Sequence, residues 1–356
     1  MADRFRYVRE VLRRGVESQA FPGGVWGVMK DGVTVELEAF GARDIDPPAP
    51  ATVDTLYDMA SVSKPVGCAT AAMAMFERGL LHAHEEARSF FPEFTLPHWA
   101  GITVHHLLTH TSGLPDWTVA YKAGIGDLCA LTAIFAESMK GAPGTRYEYS
   151  CLGYITLGKI LERVSGEPLD AFDKREIYDP LGMTSTGFRR ISSTPPPDPG
   201  ADIAATKGGD RDRGKLVGEV HDGNSSGIDG VSGNAGIFST APDMLRFGQM
   251  VLNGGTLDGT RVLSPLSVRR MLTSQIDPSI GGHSYGFFTA PNGMHPAGDL
   301  LGEGSAAHTG FTGTSLLVHP GYGLVVVLLT NRVLCEGAGH IRVRRLFHNA
   351  VAAAVI

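Results

Sequence analysis

Met59-Ala60-Ser61-Val62-Ser63-Lys64-Pro65 opens an apolar stretch, Val66 to Leu81, that reads as a helix. Residues three apart on a helix share a face, so Ser61 and Lys64 can touch. A serine hydroxyl is a poor nucleophile until a neighbouring base takes its proton. A lysine serves as that base only if burial or nearby charge lowers its pKa from about 10.4. The free amides of a helix start point outward, so the Ser61 N–H can help hold the oxyanion that forms on an attacked carbonyl. Taken alone, Ser-x-x-Lys recurs by chance, and an exposed helix start explains it equally well.

Two companions lie downstream. Tyr149, within Pro143-Gly144-Thr145-Arg146-Tyr147-Glu148-Tyr149-Ser150-Cys151-Leu152-Gly153-Tyr154, can shuttle a proton between Ser61 and a leaving group, because a phenol near a cationic lysine ionises more easily. Its plain alternative is a core tyrosine. His308-Thr309-Gly310-Phe311 precedes a strand at Ser315; small residues there let a substrate pair along a strand edge, and the Phe311 amide can complete an oxyanion hole. The plain alternative is a glycine-rich turn.

With these motifs, the segments His106-Leu107-Leu108-Thr109-His110-Thr111-Ser112-Gly113-Leu114-Pro115, Asp179-Pro180-Leu181-Gly182-Met183 and Gly233-Asn234-Ala235-Gly236-Ile237-Phe238-Ser239-Thr240 resemble, in order and spacing over about residues 20 to 335, the serine β-lactamase-like family of class C β-lactamases, penicillin-binding proteins and serine esterases. The resemblance implies an α/β fold with a mostly helical insertion and an acyl-enzyme mechanism, with Ser61, Lys64 and Tyr149 catalytic. It also implies that Cys151, His308, Thr309 and Gly310 contact substrate. Two departures stand out. Where relatives often carry Tyr-x-Asn, this chain has Tyr149-Ser150-Cys151, which removes an amide that would bond the lysine and the substrate. A reactive-thiol role for Cys151 is the sharper alternative to drift or altered substrate choice. Where relatives carry Lys-Thr-Gly, this chain has His308-Thr309-Gly310, and a histidine is mostly neutral at pH 7, so the anchor for a substrate carboxylate is weakened. An esterase or amide hydrolase is therefore expected, rather than an enzyme of β-lactams or D-Ala-D-Ala peptides.

Around the motifs the pattern is that of a sheet flanked by helices. Phe5, Val8, Leu12 and Val16 fall on one helix face. Val25 to Met29, the turn Asp31-Gly32, and Val33, Val35 and Leu37 alternating with polar residues read as an antiparallel hairpin. Ser315 to His319, the turn Pro320 to Gly323 and the apolar run Leu324 to Leu329 read as a second hairpin, followed by a helix with Val343, Leu346, Phe347, Ala350, Val351 and Ala354 on one side. Residues 65–229 are helical and loop-rich, with an irregular stretch at Pro195 to Pro199. The fold class is thus α/β (α+β): residues 1–64 and 230–356 form a discontinuous domain on an antiparallel sheet, residues 65–229 a mostly helical inserted domain, and their cleft holds the site.

A net charge of -6 with no dense Lys/Arg run excludes a phosphate-neutralising surface, so no nucleic acid is expected. The charged N-terminal stretch and the lack of about 18 consecutive apolar residues predict no membrane span and a cytoplasmic protein. Cys68, Cys129, Cys151 and Cys335 are scattered and read as free thiols, the first, second and last as small buried side chains. Gly223-Asn224-Ser225-Ser226-Gly227 and Gly282-His283-Ser284-Tyr285-Gly286 match the nucleophile elbow of another serine hydrolase fold, but the strand and helix an elbow needs are missing around Ser284. His105, His106 and His110 have no carboxylate or cysteine at a telling spacing and read as structural rather than metal-binding. His221-Asp222 reads either as a loop at the cleft or as a solvated turn. The leading expectation is hydrolysis of a small acyl ester with no cofactor, the partner being a small-molecule acyl substrate. A transacylase, a D-amino-acid peptidase or amidase, and a non-catalytic ligand-binding descendant are the alternatives.

Overall fold

The computed structural model describes residues 3–198, 200–208, 213–290, 292–335 and 337–356. Its centre is a seven-stranded antiparallel sheet: β1 (Gly23–Lys30), β2 (Val33–Ile45), β3 (Pro48–Pro50), β4 (Phe288–Thr289), β5 (Ala306–Thr309), β6 (Ser315–His319) and β7 (Leu324–Thr330), in the order β4-β5-β6-β7-β1-β2-β3. Both expected hairpins are present. They join through β1 and β7, where Val25 faces Leu329 and Val28 faces Val326, so the two ends of the chain build one sheet.

Because side chains alternate along a strand, the unbroken apolar run of β7 feeds two cores. Leu324, Val326 and Leu328 pack with Trp26, Phe347 and Val351 under helices α1 (Arg6–Glu17) and α5 (His340–Val355), whereas Val325, Val327 and Leu329 face the larger core. Each buried aliphatic side chain contributes about 1.5–3 kcal/mol relative to exposure, so a polar substitution anywhere along this run damages one layer or the other. In the larger core, α4 (Ala241–Leu252) lies close on the sheet because Gly248 has no side chain: a Cβ there would sit 2.4 Å from Val325.

Between these ends lie α2 (Thr70–Glu77), α3 (Cys151–Ser165) and several shorter helices, with a small ribbon pairing Thr206–Gly208 with Gly214–Leu216 that the sequence pattern did not announce. Pro195 to Asp198 carries no regular element, and Pro199 lies outside the described residues. The helix expected from Ser61 onward is not regular. It starts as a 3-10 turn, Ala60–Val62, and winds as a π-helix over Lys64–Ala69 before becoming α-helical. Pro65 brings no amide hydrogen, and the Thr70 hydroxyl donates to the Pro65 carbonyl at 2.7 Å, which widens the turn. Of the thiols read as buried, Cys68 is buried, but Cys129 and Cys335 are only half-buried on the periphery. Among the described residues no helix is long and apolar enough to cross a membrane.

Candidate active site

Ser61 is held by its neighbours on both sides. Tyr57–Asp58 pairs with Ile237–Ser239 in a short three-stranded sheet, and the Met59 amide donates to the Ile237 carbonyl at 2.9 Å. Ala60 then takes a left-handed conformation, φ 46°, which costs a residue with a Cβ. What holds it is Asp58: its buried carboxylate accepts the Ala60 amide at 2.8 Å and the His221 amide at 2.7 Å. Burial pushes this carboxyl up, and those two amides pull it back. Across the cleft, the loop after β5 is fastened to the same segment. Thr312 and Thr314 hydroxyls donate to the carbonyls of Asp58 and Met59, at 2.8 and 2.9 Å. Gly310 permits this approach, since a Cβ there would lie 2.5 Å from the Met59 oxygen and 2.2 Å from Thr314 Oγ1. Phe311 follows. Among the described residues neither its amide nor that of Ser61 donates to a protein acceptor, as an oxyanion hole requires.

Lys64 is wholly buried, and its Nζ donates to Ser61 Oγ at 3.0 Å and to the Asn234 main-chain oxygen at 3.0 Å, with Cys151 Sγ 3.6 Å away. Among the described residues no carboxylate forms an ion pair with it. Tyr149 completes the group, with Lys64 Nζ 5.0 Å from its ring centre. Ser61, Lys64, Tyr149 and Cys151 are therefore brought together as the sequence predicts.

The electrostatics differ from the simple expectation of a lysine lowered by burial. Burial does act to lower Lys64, but the negative forms of Cys151 and Tyr149, and Asp222, act the other way, and the net direction is upward. Burial raises Tyr149 and Cys151 in turn, although the Lys64 charge acts to lower both. Those anions are thus scarce near neutral pH, where burial and Asp222 are the opposing influences left on Lys64.

His308 is buried at the end of β5, stacked on Phe288 at 4.5 Å, its Nδ1 2.9 Å from the Thr309 oxygen. Burial first, and then the Lys64 charge, push it well below the usual histidine value, so it supplies no positive charge at neutral pH. Two histidines without a catalytic assignment in the sequence reading join it. His110, outside the helix that holds His105 and His106, lies 4.4 Å from the Tyr149 ring and 4.8 Å from His283. Burial pushes His283 down to about 3 and His110 well below its ordinary value. His110 Nε2, His308 Nε2 and both His283 nitrogens have no hydrogen-bond partner among the described residues. Behind Tyr149 there is thus a layer of neutral imidazoles.

The two elbow-like serines are tied into the fold by hydrogen bonds. Ser225 donates to the Asn234 side chain at 3.1 Å, and Ser284 to the Met271 carbonyl; both are fully buried. His105 Nδ1 meets the Tyr285 hydroxyl and His106 Nδ1 accepts the Thr103 amide, both structural contacts. His221 and Asp222 do stand at the cleft. His221 lies 5.5 Å from the Phe311 ring, while Asp222 caps a short helix by accepting the Ser225 amide at 2.7 Å. Asn234 was legible only as part of a matched segment, and nothing in that segment announces that its main-chain oxygen would hold Lys64.

Ser61 sits where two cavities meet. One, about 380 Å³, is lined by Thr309, Gly310, Met294, Arg332, Arg344 and Arg345; the other, about 580 Å³, by Asp116, Trp117, Cys151, His221, Asp222 and Ala235. Tyr149 and Phe311 border both.

The beta-lactamase family profile matches residues 8–347. The chain belongs to the beta-lactamase family. A relative in Bacillus subtilis (strain 168), named as an N-acetylmuramyl-L-alanine amidase, is 30% identical over an alignment covering 92% of this chain and 81% of its own. Among solved structures, EstCE1, described as a hydrolase with promiscuous acyltransferase activity, superposes with a TM-score of 0.77 at 22% identity over 98% of both chains. An octameric penicillin-binding protein homologue from Pyrococcus abyssi does so with a TM-score of 0.76 at 25% identity, over 97% of this chain and 76% of its own. The beta-lactamase fold expected from the motifs is thereby found, and with it membership of a group of serine hydrolases.

Proposed function

We propose that the protein is a carboxylesterase acting on small acyl esters through an acyl-enzyme on Ser61. The observation that carries this reading is the wholly buried Lys64 Nζ, without a carboxylate partner among the described residues and 3.0 Å from Ser61 Oγ. Neutral Lys64 takes the Ser61 proton as Oγ bonds to the acyl carbon, and the Ser61 and Phe311 amides receive the oxyanion. When the tetrahedral centre collapses, the C–O bond to the alcohol breaks, and the proton passes by way of Tyr149 to the departing oxygen. A water molecule repeats the sequence in reverse order of groups, releasing the acid and restoring the serine. Neutral His308 in place of a lysine and Cys151 in place of an asparagine support small esters over β-lactams.

Amide hydrolysis is the second reading, favoured by the name of the Bacillus subtilis relative. Matched substrates separate the two: p-nitrophenyl butanoate, butanoyl p-nitroanilide and a chromogenic β-lactam under the same conditions. The ester is expected to be turned over at least about a hundredfold faster in kcat/KM than either other, which corresponds to about 2.7 kcal/mol. An anilide hydrolysed as fast as the ester replaces the esterase reading with the amidase one.

A further inference from the structure

Lys64 Nζ reaches two nucleophiles. Ser61 Oγ lies 3.0 Å from it and Cys151 Sγ 3.6 Å, so the thiol shares the amine that serves the serine. Cys151 opens α3, whose first amides favour negative charge on a residue placed there. It is partly exposed on the wall of the larger cavity, so a small molecule that enters beside Ser61 also meets the sulfur. A second donor faces it. The Asn234 side chain is 1% exposed, and its Oδ1 accepts the Ser225 hydroxyl at 3.1 Å and the Ser232 hydroxyl at 2.6 Å, which turns Nδ2 away from both. Nδ2 finds no acceptor in hydrogen-bond geometry among the described residues, yet it faces Sγ closely enough to act on the thiol as a donor. A buried donor left without an acceptor costs about 1–3 kcal/mol, and an oxygen atom carried on Sγ would supply one.

The other thiols lack this setting. Cys68 is buried, and Cys129 and Cys335, half-buried as Cys151 is, form no hydrogen bond among the described residues. At Cys151 burial raises the thiol, the Lys64 charge lowers it, and Asp222 raises it again, so the resting sulfur keeps its proton and needs a base. Resting on the reading of neutral Lys64 as the base of Ser61, we propose that Cys151 is an oxidation site for a small peroxide and that its sulfenic acid switches the hydrolase off. Lys64 takes the thiol proton as Sγ bonds to one peroxide oxygen. The O–O bond breaks, and the departing hydroxide recovers that proton from Lys64 and leaves as water. Sulfur loses an electron pair and the peroxide gains one. The Cys151 S–OH then gives its proton to Lys64, and the sulfenate oxygen is held by the ammonium and by Asn234 Nδ2. A protonated Lys64 does not accept the Ser61 proton, so acylation stops. A small thiol reverses the step: it displaces water from the S–OH to form a mixed disulfide, and another thiol releases Cys151 as its thiol and the reductant as its disulfide.

The test treats the intact protein with hydrogen peroxide and follows p-nitrophenyl butanoate hydrolysis in one portion of each sample. In the other, dimedone traps sulfenic acid and peptide mass spectrometry maps it. Cys151 is expected to be oxidised at least about tenfold faster than Cys129 and Cys335, which share its partial exposure but not its base. Activity should fall in step with that oxidation and return with dithiothreitol. In Lys64→Met the mapped rate at Cys151 should drop by about tenfold. In Cys151→Ser, peroxide should no longer lower activity relative to the same variant left untreated. A Cys151 rate no higher than those of Cys129 and Cys335, a rate unchanged in Lys64→Met, activity that survives oxidation of Cys151, or an equal fractional loss in Cys151→Ser overturns the proposal. If Lys64→Met does not fold, the ratio of the three rates in the wild type decides. Should the wild type cleave no ester, the hydrolase reading fails by itself. The mapped rates then decide the oxidation site: a fast Cys151 that depends on Lys64 supports it, and equal rates overturn it.

Discussion

The two walls that meet at Ser61 could hardly differ more. One is cationic and comes from the last helix and the loops beside it; the other is aromatic and acidic and comes from segments near residues 116, 151, 222 and 235. Between them runs a narrow ridge, Ser61, Lys64 and Tyr149, held by backbone contacts to Asp58, Met59 and Asn234. The contrast teaches a division of labour. On the proposed acyl-enzyme reading the ridge does chemistry that is indifferent to the substrate, so damage there is expected to fall on every ester alike, while damage to a wall is expected to change the ranking of esters.

The largest expected effect is on the ridge. Lys64→Met removes the proposed proton acceptor of Ser61, and kcat/KM should fall on the order of 10³-fold or more for every ester tested, measured by steady-state hydrolysis. A fall confined to anionic esters would move Lys64 from the ridge to a wall. Tyr149→Phe comes next, with a loss of about 10²-fold expected mainly in kcat, since the phenol acts while the leaving group departs. A change in KM alone would make the ring a wall residue.

The imidazole layer behind Tyr149 is expected to respond to acid as a stability effect. His110, His283 and His308 have folded-state pKa values below the ordinary value of 6.5, so each is neutral in both states above about pH 6.5. As pH falls below that, the unfolded chain binds protons that the folded one refuses, and stability drops by up to about 1.4 kcal/mol per pH unit for each histidine until the folded pKa is reached. Urea denaturation at steps from about pH 7 to 4.5 should show this slope, and His283→Phe should reduce it by about one proton. An unchanged slope in that variant would mean that His283 is protonated in the folded protein.

The smallest effect belongs to Cys151, which lies on the aromatic wall yet touches Lys64. Cys151→Asn should change kcat/KM for p-nitrophenyl butanoate by no more than a few-fold, because the Asn234 carbonyl already holds Lys64 Nζ at 3.0 Å. A rise of about a hundredfold would show instead that the lost amide limits the present enzyme.

How much of this was written in the sequence follows the same division. Strand alternation at Val33 to Leu37, the apolar run Leu324 to Leu329 and the Phe347 and Val351 stripe determine the sheet and its covering helices, because periodic burial leaves a periodic pattern. That Ser61, Lys64, Tyr149 and Phe311 come together was legible because the chemistry proposed for them depends on residue type at fixed spacing. What was hidden depends on backbone or on environment. The Asn234 oxygen belongs to the main chain, so its residue type does not advertise it. The left-handed turn at Ala60 is imposed by Asp58 and leaves no glycine as a marker. Arg344 sits between Val343 and Phe347 in a helix with an apolar stripe, and only the packed structure places its side chain on the wall of a cavity. His283 was noticed only within a motif that belongs to a different fold.

The most direct test of the central claim is intact-mass spectrometry of the wild-type protein and Ser61→Ala after mixing with p-nitrophenyl butanoate, with nitrophenol release followed in parallel. The account predicts a single butanoyl adduct mapped to Ser61 in the wild type, with adduct and turnover both lost in the variant. Turnover of equal rate in Ser61→Ala, or an adduct that maps to Cys151, would contradict it.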